Sequence, residues 1–359
     1  MSLFGRLAQS WTEGTVLALD GLRRGLTDRF PVEEDPPPVT PYETVDEVGK
    51  LRLRYYRPAV SSHGTPLLLV YSLIKRPFIL DLDPDRSVVR TLTGLGFDVY
   101  VTDWIPPVAS ESWRGLDAYV NEDLDGAVRA IQAHRGVEQV TLLGYCFGAL
   151  LTALYTALHQ DAVEKLVTLA IPLDMSVRDF PHRNLMDRFD LETAELVTEI
   201  YGNCPAWLIR SGFESIAPVY QLIDKHVQRA RAEDDPAYAR TFARFKKWME
   251  SDVPLAEQIV REMAAIARKN LLLEDELAIG GRRVCLRDIT CPVLNVVGRD
   301  DDIVPPASSL ALIGRIGSRE KEDFLFTGGH MSLAVSASAH AKLWPQVGTW
   351  LKRPLADLH

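Results

Sequence analysis

Cysteine is scarce: the 359 residues hold four, Cys146, Cys204, Cys285 and Cys291, and no CxxC spacing. That excludes a disulfide framework and a zinc knuckle, and it fits a reducing compartment. Long apolar runs are missing too, and none approaches the ~18 residues a membrane-spanning helix needs. Near the start, the burst Val16–Leu19 stops at Asp20, too short for the apolar core of a secretory signal. Positive charge is not in excess. The 40 Lys+Arg face 49 Asp+Glu, a net charge of −9, so the chain has no basic footprint for DNA or RNA. There is no internal repeat and no low-complexity tract. What remains is a globular chain, expected in the cytoplasm. Its 47% hydrophobic and 25% charged residues are ordinary values, and its length can bury a large core unaided.

Residues 1–30 carry Leu3, Phe4, Leu7 and Trp11 at the spacing of an amphipathic helix. Such a helix packs on its own domain or docks on a partner or an apolar particle surface. Asp35–Pro41, with four prolines in seven residues, reads as a stiff extended linker closing an N-terminal segment over 1–41. Beyond it the pattern repeats as strand, turn, helix. Leu51–Tyr56 alternates like a half-exposed strand, and Pro66–Tyr71 is continuously apolar, as a central parallel strand should be. Further strands fall at Phe97–Asp103, Val140–Leu143, Leu166–Ile171, Val293–Val297 and Phe324–Phe326. Helical stretches between most of them predict an α/β fold with a mainly parallel, doubly wound sheet over 42–174 and 286–359. The intervening 175–285 is helix-rich and charged, with an apolar stripe of Leu255, Ile259, Met263 and Ile266. It is either a helical insertion packed on the sheet or, from its place in the strand order, a cap over the strand carboxyl ends; the cap is the reading adopted.

The chemistry sits in three pieces. Val140–Leu143 runs into Gly144-Tyr145-Cys146-Phe147-Gly148, and a helix rich in Leu and Ala follows at once. That is the pattern of a nucleophile elbow with cysteine in place of serine. So tight a turn needs small residues two before and two after the nucleophile, and the helix N-terminus favours a thiolate. At this composition Gly-x-Cys-x-Gly arises by chance only about 0.02 times in the chain. The alternative, a buried structural cysteine beside packing glycines, does not account for what lies downstream. After the strand Val293–Val297 come Asp300, Asp301 and Asp302, one of which could orient an imidazole while the others form a solvated turn. After Phe324–Phe326 come Gly328, Gly329 and His330, a histidine expected in an exposed loop where a base can swing. Nucleophile, acid, histidine is the chain order of α/β-hydrolase triads. By position, oxyanion donors should be the backbone N–H of Phe147 and one near Leu73 or Ile74, with Ile74 preferred.

Taken together, these blocks resemble the catalytic subunit of a short, class III or class IV type polyhydroxyalkanoate synthase, an α/β-hydrolase-fold enzyme. The similarity spans residues 40–355. It rests on the elbow, on Val70–Pro77 with Asp81, on Asp98–Trp104, on Lys247-Trp248-Met249, on Asp288–Asn295 and on Gly328-Gly329-His330. The resemblance implies Cys146 as acylated nucleophile, His330 as base and Asp301 as the triad acid. It implies (R)-3-hydroxyacyl-CoA as substrate and a growing polyester chain plus free CoA as products. It implies no cofactor and no metal, a second, smaller synthase subunit as partner, and location in the cytoplasm, on polyester granules. A second copy of this chain is a further candidate partner. Three positions depart from the family pattern: Asp302 replaces a histidine, Ala149 a glycine, and Met331-Ser332 an Ile-Gly pair. They leave open a second reading, a cysteine-dependent thioesterase or polyester hydrolase on the same scaffold. A catalytically idle granule-binding protein is a third, and it would need none of Cys146, Asp301 and His330.

Overall fold

The structure, a computed structural model, describes residues 35–61, 64–177, 202–216 and 235–354. The chain divides into two units, 1–37 and 38–359, and all that follows belongs to the second. The helix expected over 1–30 lies outside the described residues, as do parts of the stretch read as a cap.

In chain order the first elements are β1 (Glu43–Val48), β2 (Leu51–Tyr56), β3 (Leu67–Val70), the short hairpin β4 (Asp81–Asp83) and β5 (Arg86–Ser87), α1 (Val88–Gly94) and β6 (Val99–Trp104). A π-helical stretch, Ala118–Leu124, leads into α2 (Asp125–Arg135), then come β7 (Val140–Tyr145), α3 (Phe147–Leu158) and β8 (Val163–Leu169). The intervening region contributes β9 (Asn203–Cys204), α4 (Ala206–Ile216), α5 (Pro236–Met249), β10 (Leu255–Ala256), α6 (Glu257–Lys269), β11 (Ala278–Ile279) and β12 (Arg282–Arg283). The chain then returns through β13 (Val293–Gly298), α7 (Pro306–Leu310), β14 (Lys321–Phe326), α8 (Ser332–Val335) and α9 (Trp344–Leu351).

One eight-stranded sheet runs β1-β2-β6-β3-β7-β8-β13-β14. From β6 to β14 every neighbour is parallel, while β1 and β2 add an antiparallel edge. This is the mainly parallel sheet expected from the alternation of strands and helices. Alternation along each central strand divides the core: Leu68, Val70 and Leu142 join one apolar cluster, Leu67, Leu69 and Leu143 the other. Helix α3 is buried along its whole length, which suits a sequence that is apolar all round.

One expectation about the sheet changes. Strand β2 is buried rather than half exposed, Arg52 being its one intermediate residue. Its second arginine, Arg54, turns inward because Asp103 neutralises it at 3.1 Å from Nε and 2.5 Å from Nη2, and β1 covers its flank. Strand β1 itself went unread, because a sequence of Glu, Thr, Val and Asp has no apolar run to mark it. At the other edge, Lys321, Glu322 and Asp323 are exposed and keep β14 from templating a further strand. The stripe on α6 packs onto the first apolar cluster through buried Ile259 and Ile266, with Met263 and, from β10, Leu255 at its margin. Among the described residues, no helix is long and apolar enough to cross a membrane.

Candidate active site

The turn from β7 into α3 places Cys146 at φ 57°, ψ −121°, a backbone conformation that a side chain adopts only when its surroundings enforce it. They do so here. A Cβ on Gly144 would sit 2.4 Å from Ala149 Cα, and one on Gly148 would sit 2.0 Å from Val70 O. The Cys146 N–H donates to Leu169 O on β8 at 2.9 Å, and its carbonyl accepts from Ala149 N at 2.9 Å. Cys146 is thus held half-buried at the start of α3, ahead of N–H groups that have no intrahelical acceptor. Ala149 is fully buried in the apolar cluster under the sheet, so the methyl that departs from the family pattern has a place.

Asp301 and His330 come to the same end of the sheet. Strands β13 and β14 pair in parallel to Gly298↔Phe326, and the loops beyond stay joined through Arg299 N to Phe326 O and Asp300 N to Gly328 O. Of the three consecutive aspartates, Asp300 and Asp302 are exposed and Asp301 is buried. Asp301 Oδ1 accepts from the backbone N–H of Ile303 at 2.9 Å and of Val304 at 2.8 Å. Its Oδ2 lies 2.8 Å from His330 Nδ1. A carboxylate only accepts, so Nδ1 carries the proton of that bond and Nε2 is the nitrogen left to serve Cys146. Asp302, the extra carboxylate in the sequence, stands out in solvent.

His330 is not in an exposed loop. Only 7% of it is accessible, and its ring stacks on Tyr145 with centroids 5.3 Å apart and planes at 29°. The Tyr145 hydroxyl donates to the His330 carbonyl at 2.7 Å, so one side chain fixes both the ring and the backbone of the histidine. Sequence reasoning passed over Tyr145, although its place next to Cys146 in the elbow was the available signal. Tyr71, just past β3, carries no site role in the sequence reading; its ring lies 5.8 Å from that of Tyr145. Burial first, and then the charge at Cys146, push its hydroxyl well above the ordinary tyrosine value, so it stays protonated. Of the two expected oxyanion donors, Phe147 opens α3, whereas the Ile74 N–H lies 3.3 Å from Ser72 Oγ. Among the described residues no cluster of three or more His, Cys, Asp or Glu could hold a metal ion.

Burial alone pushes the His330 imidazolium down, but Asp301 and then Cys146 outweigh it, and the net direction is well above the ordinary histidine value. A folded-state value raised above the unfolded one stabilises fully below about pH 6.5, and the benefit fades as pH climbs through the folded value. The melting-temperature gap between the parent protein and His330→Gln is therefore expected to be widest near about pH 6 and to narrow toward about pH 10. Thermal melts across that range check it; a gap that widens with pH contradicts the assignment.

The sheet, the elbow and the Asp301–His330 pair define an α/β-hydrolase-fold protein with a cysteine at the elbow, and a family model described as the alpha/beta hydrolase fold matches residues 65–337. The poly(3-hydroxyalkanoate) polymerase subunit PhaC of Allochromatium vinosum is 34% identical over 334 residues, covering 92% of this chain and 93% of that protein. That of Thiocystis violacea is 34% identical, covering 87% and 88%, and that of Haloferax mediterranei 32%, covering 87% and 63%. The chain belongs to the poly(3-hydroxyalkanoate) polymerase PhaC family, and it is an enzyme of acyltransferase type. Solved structures share the fold alone. A monoacylglycerol lipase from Paleococcus ferrophilus aligns with TM-score 0.51 at 15% identity, over 85% of this chain and 99% of that one. An epoxide hydrolase mutant from Bacillus megaterium aligns with TM-score 0.52 at 16% identity, over 87% and 100%.

Proposed function

We propose that this chain polymerises (R)-3-hydroxyacyl-CoA into polyhydroxyalkanoate with release of CoA, through an acyl thioester on Cys146. Family membership supports polyester synthesis; the observation that carries the finer reading is the 2.8 Å bond between Asp301 and His330, an imidazole whose pKa is raised in part by the strained Cys146. His330 Nε2 takes the Cys146 proton, and Sγ attacks the thioester carbonyl. The carbonyl oxygen becomes an oxyanion that the N–H groups of Phe147 and Ile74 receive. At 3.3 Å the Ile74 bond to Ser72 Oγ is long, so exchanging it for a short bond to an oxyanion costs little. Collapse breaks the carbon–sulfur bond to CoA, which leaves as the thiol with the imidazole proton. One thioester has replaced another at nearly constant energy. An incoming 3-hydroxyl then gives its proton to the base and attacks the acyl carbon; an ester forms and Cys146 is released. Asp301 already accepts three hydrogen bonds, which supports His330 as that base.

The same reading takes residues 175–285 as a cap over the strand carboxyl ends, needs no cofactor or metal, and places the chain in the cytoplasm on polyester granules. Its macromolecular partner is a second, smaller synthase subunit, with a second copy of this chain as another. The test is to give purified protein (R)-3-hydroxybutyryl-CoA, alone and with the small synthase subunit of a relative. Free CoA is followed with a thiol reagent, and the acyl product is sized. CoA release with high-mass polyester is the expected result. CoA release with only free hydroxy acid would make this a thioesterase, and no CoA under either condition would overturn the reading.

A further inference from the structure

The loop Ser72–Arg76, from which the second oxyanion donor is expected, is fastened to the segment that closes α5 and precedes β10. Val253 N donates to Ile74 O at 2.9 Å, Trp248 Nε1 to Arg76 O at 3.1 Å, and Lys75 Nζ to Met249 O at 2.6 Å. Lys75 and Asp252 also form an antiparallel bridge, and their side chains make an ion pair of 2.7 Å. The Lys75 ammonium stands 5.3 Å from the centre of the Trp248 ring. Asp252 is the centre of this strap: its side chain is wholly buried, and its second oxygen meets Arg210 Nε at 2.9 Å. Ion-pair partners taken out of water are costly to separate, so Asp252 ties together the segments that carry Lys75 and Arg210. One of its cations belongs to the oxyanion loop. The carbonyl and N–H of Ile74 share one Cα, so pinning the carbonyl restricts where the N–H can point.

We propose that Asp252 is a positioning residue for acyl transfer, acting through Lys75 to hold the Ile74 N–H where a developing oxyanion needs it. The inference rests on the function proposed above. Misplacing an oxyanion donor slows formation of the tetrahedral intermediate, typically by 10²–10³-fold when the donor is lost outright. Alkylation of the same sulfur by iodoacetamide forms no oxyanion and is indifferent to that donor. The two reactions therefore separate positioning from general disturbance of the site.

The experiment uses the full chain and the isosteric Asp252→Asn, with Lys75→Met as the second variant in case the first does not fold. Each variant is expected to lower kcat for CoA release from (R)-3-hydroxybutyryl-CoA at least tenfold. KM should stay within threefold and Cys146 alkylation within twofold of the parent, and the double variant should be no slower than the slower single. Retention of more than a third of kcat in a folded variant overturns the proposal. So does a parallel loss of kcat and alkylation, which marks a merely structural role. If the parent protein releases no CoA, or Cys146→Ser releases it at the full rate, the functional reading itself has failed and the proposal falls with it.

Discussion

Cys146→Ser is expected to lower CoA release by about 10³-fold or more while leaving the fold intact, and Cys146→Ala to abolish it. The hydroxyl is close in size to the thiol, and the elbow that sets φ at 57° is built by Gly144, Gly148 and the strand on either side, not by the sulfur. The loss is chemical. A serine hydroxyl must give up its proton during attack, whereas a thiol beside an imidazole is far more easily ionised and is intrinsically more nucleophilic. His330, held by Asp301 at 2.8 Å, supplies a base for the first situation but cannot make the oxygen equal to sulfur. A serine would also trap the acyl group as an oxyester, which passes it to an incoming hydroxyl more slowly than a thioester. The check is a thiol-reagent assay of CoA together with the mass of the acylated protein. Full polymerising activity in the serine variant would remove Cys146 from the mechanism.

Much of this arrangement can be read from sequence because its causes are local. The tight turn at Cys146 demands Gly144 and Gly148 on any backbone, and a strand buried on both faces is expected to be continuously apolar, as Leu67–Val70 is. What could not be read depends on distant partners. Asp300, Asp301 and Asp302 are chemically identical in sequence, and only the loop after β13 decides which one turns inward; the choice of Asp301 came from family resemblance alone. His330 lies in a glycine-rich segment that looks exposed, yet Tyr145 from β7 stacks on it. Arg54 looks like the solvent side of an alternating strand until Asp103 on β6 meets it. The strap between Lys75 and Asp252 joins a loop and a segment with nothing in their local sequence to pair them. In each case the missing information is a tertiary contact that no periodicity carries.

Gly148→Ala carries the second large effect, and it comes from backbone rather than chemistry. The added Cβ would lie 2.0 Å from Val70 O, 2.7 Å from Val70 C and 3.0 Å from Tyr71 C. None of these atoms is the free end of a side chain. Val70 ends β3 and is paired to Gly144 on β7, and β3 is hydrogen-bonded on its other side to β6. Relief therefore requires α3 to move off the sheet or the middle of the sheet to shift, at a cost of about 3 kcal/mol, the upper part of the usual range for overpacking. Either movement displaces the first turn of α3, which carries Cys146 and the Phe147 N–H. A misplacement of about 1 Å at reacting groups costs about 10²-fold in rate, so activity should fall even at temperatures where the variant stays folded. Gly94→Ala is the matching control. It lies in α1, is exposed and has nothing within 4 Å of the new methyl, so it should be neutral or stabilising by up to about 1 kcal/mol. Paired thermal melts and CoA-release rates of the two variants test the claim. Equal stability and equal activity would mean that α3 does not approach Val70 as closely as the structure has it.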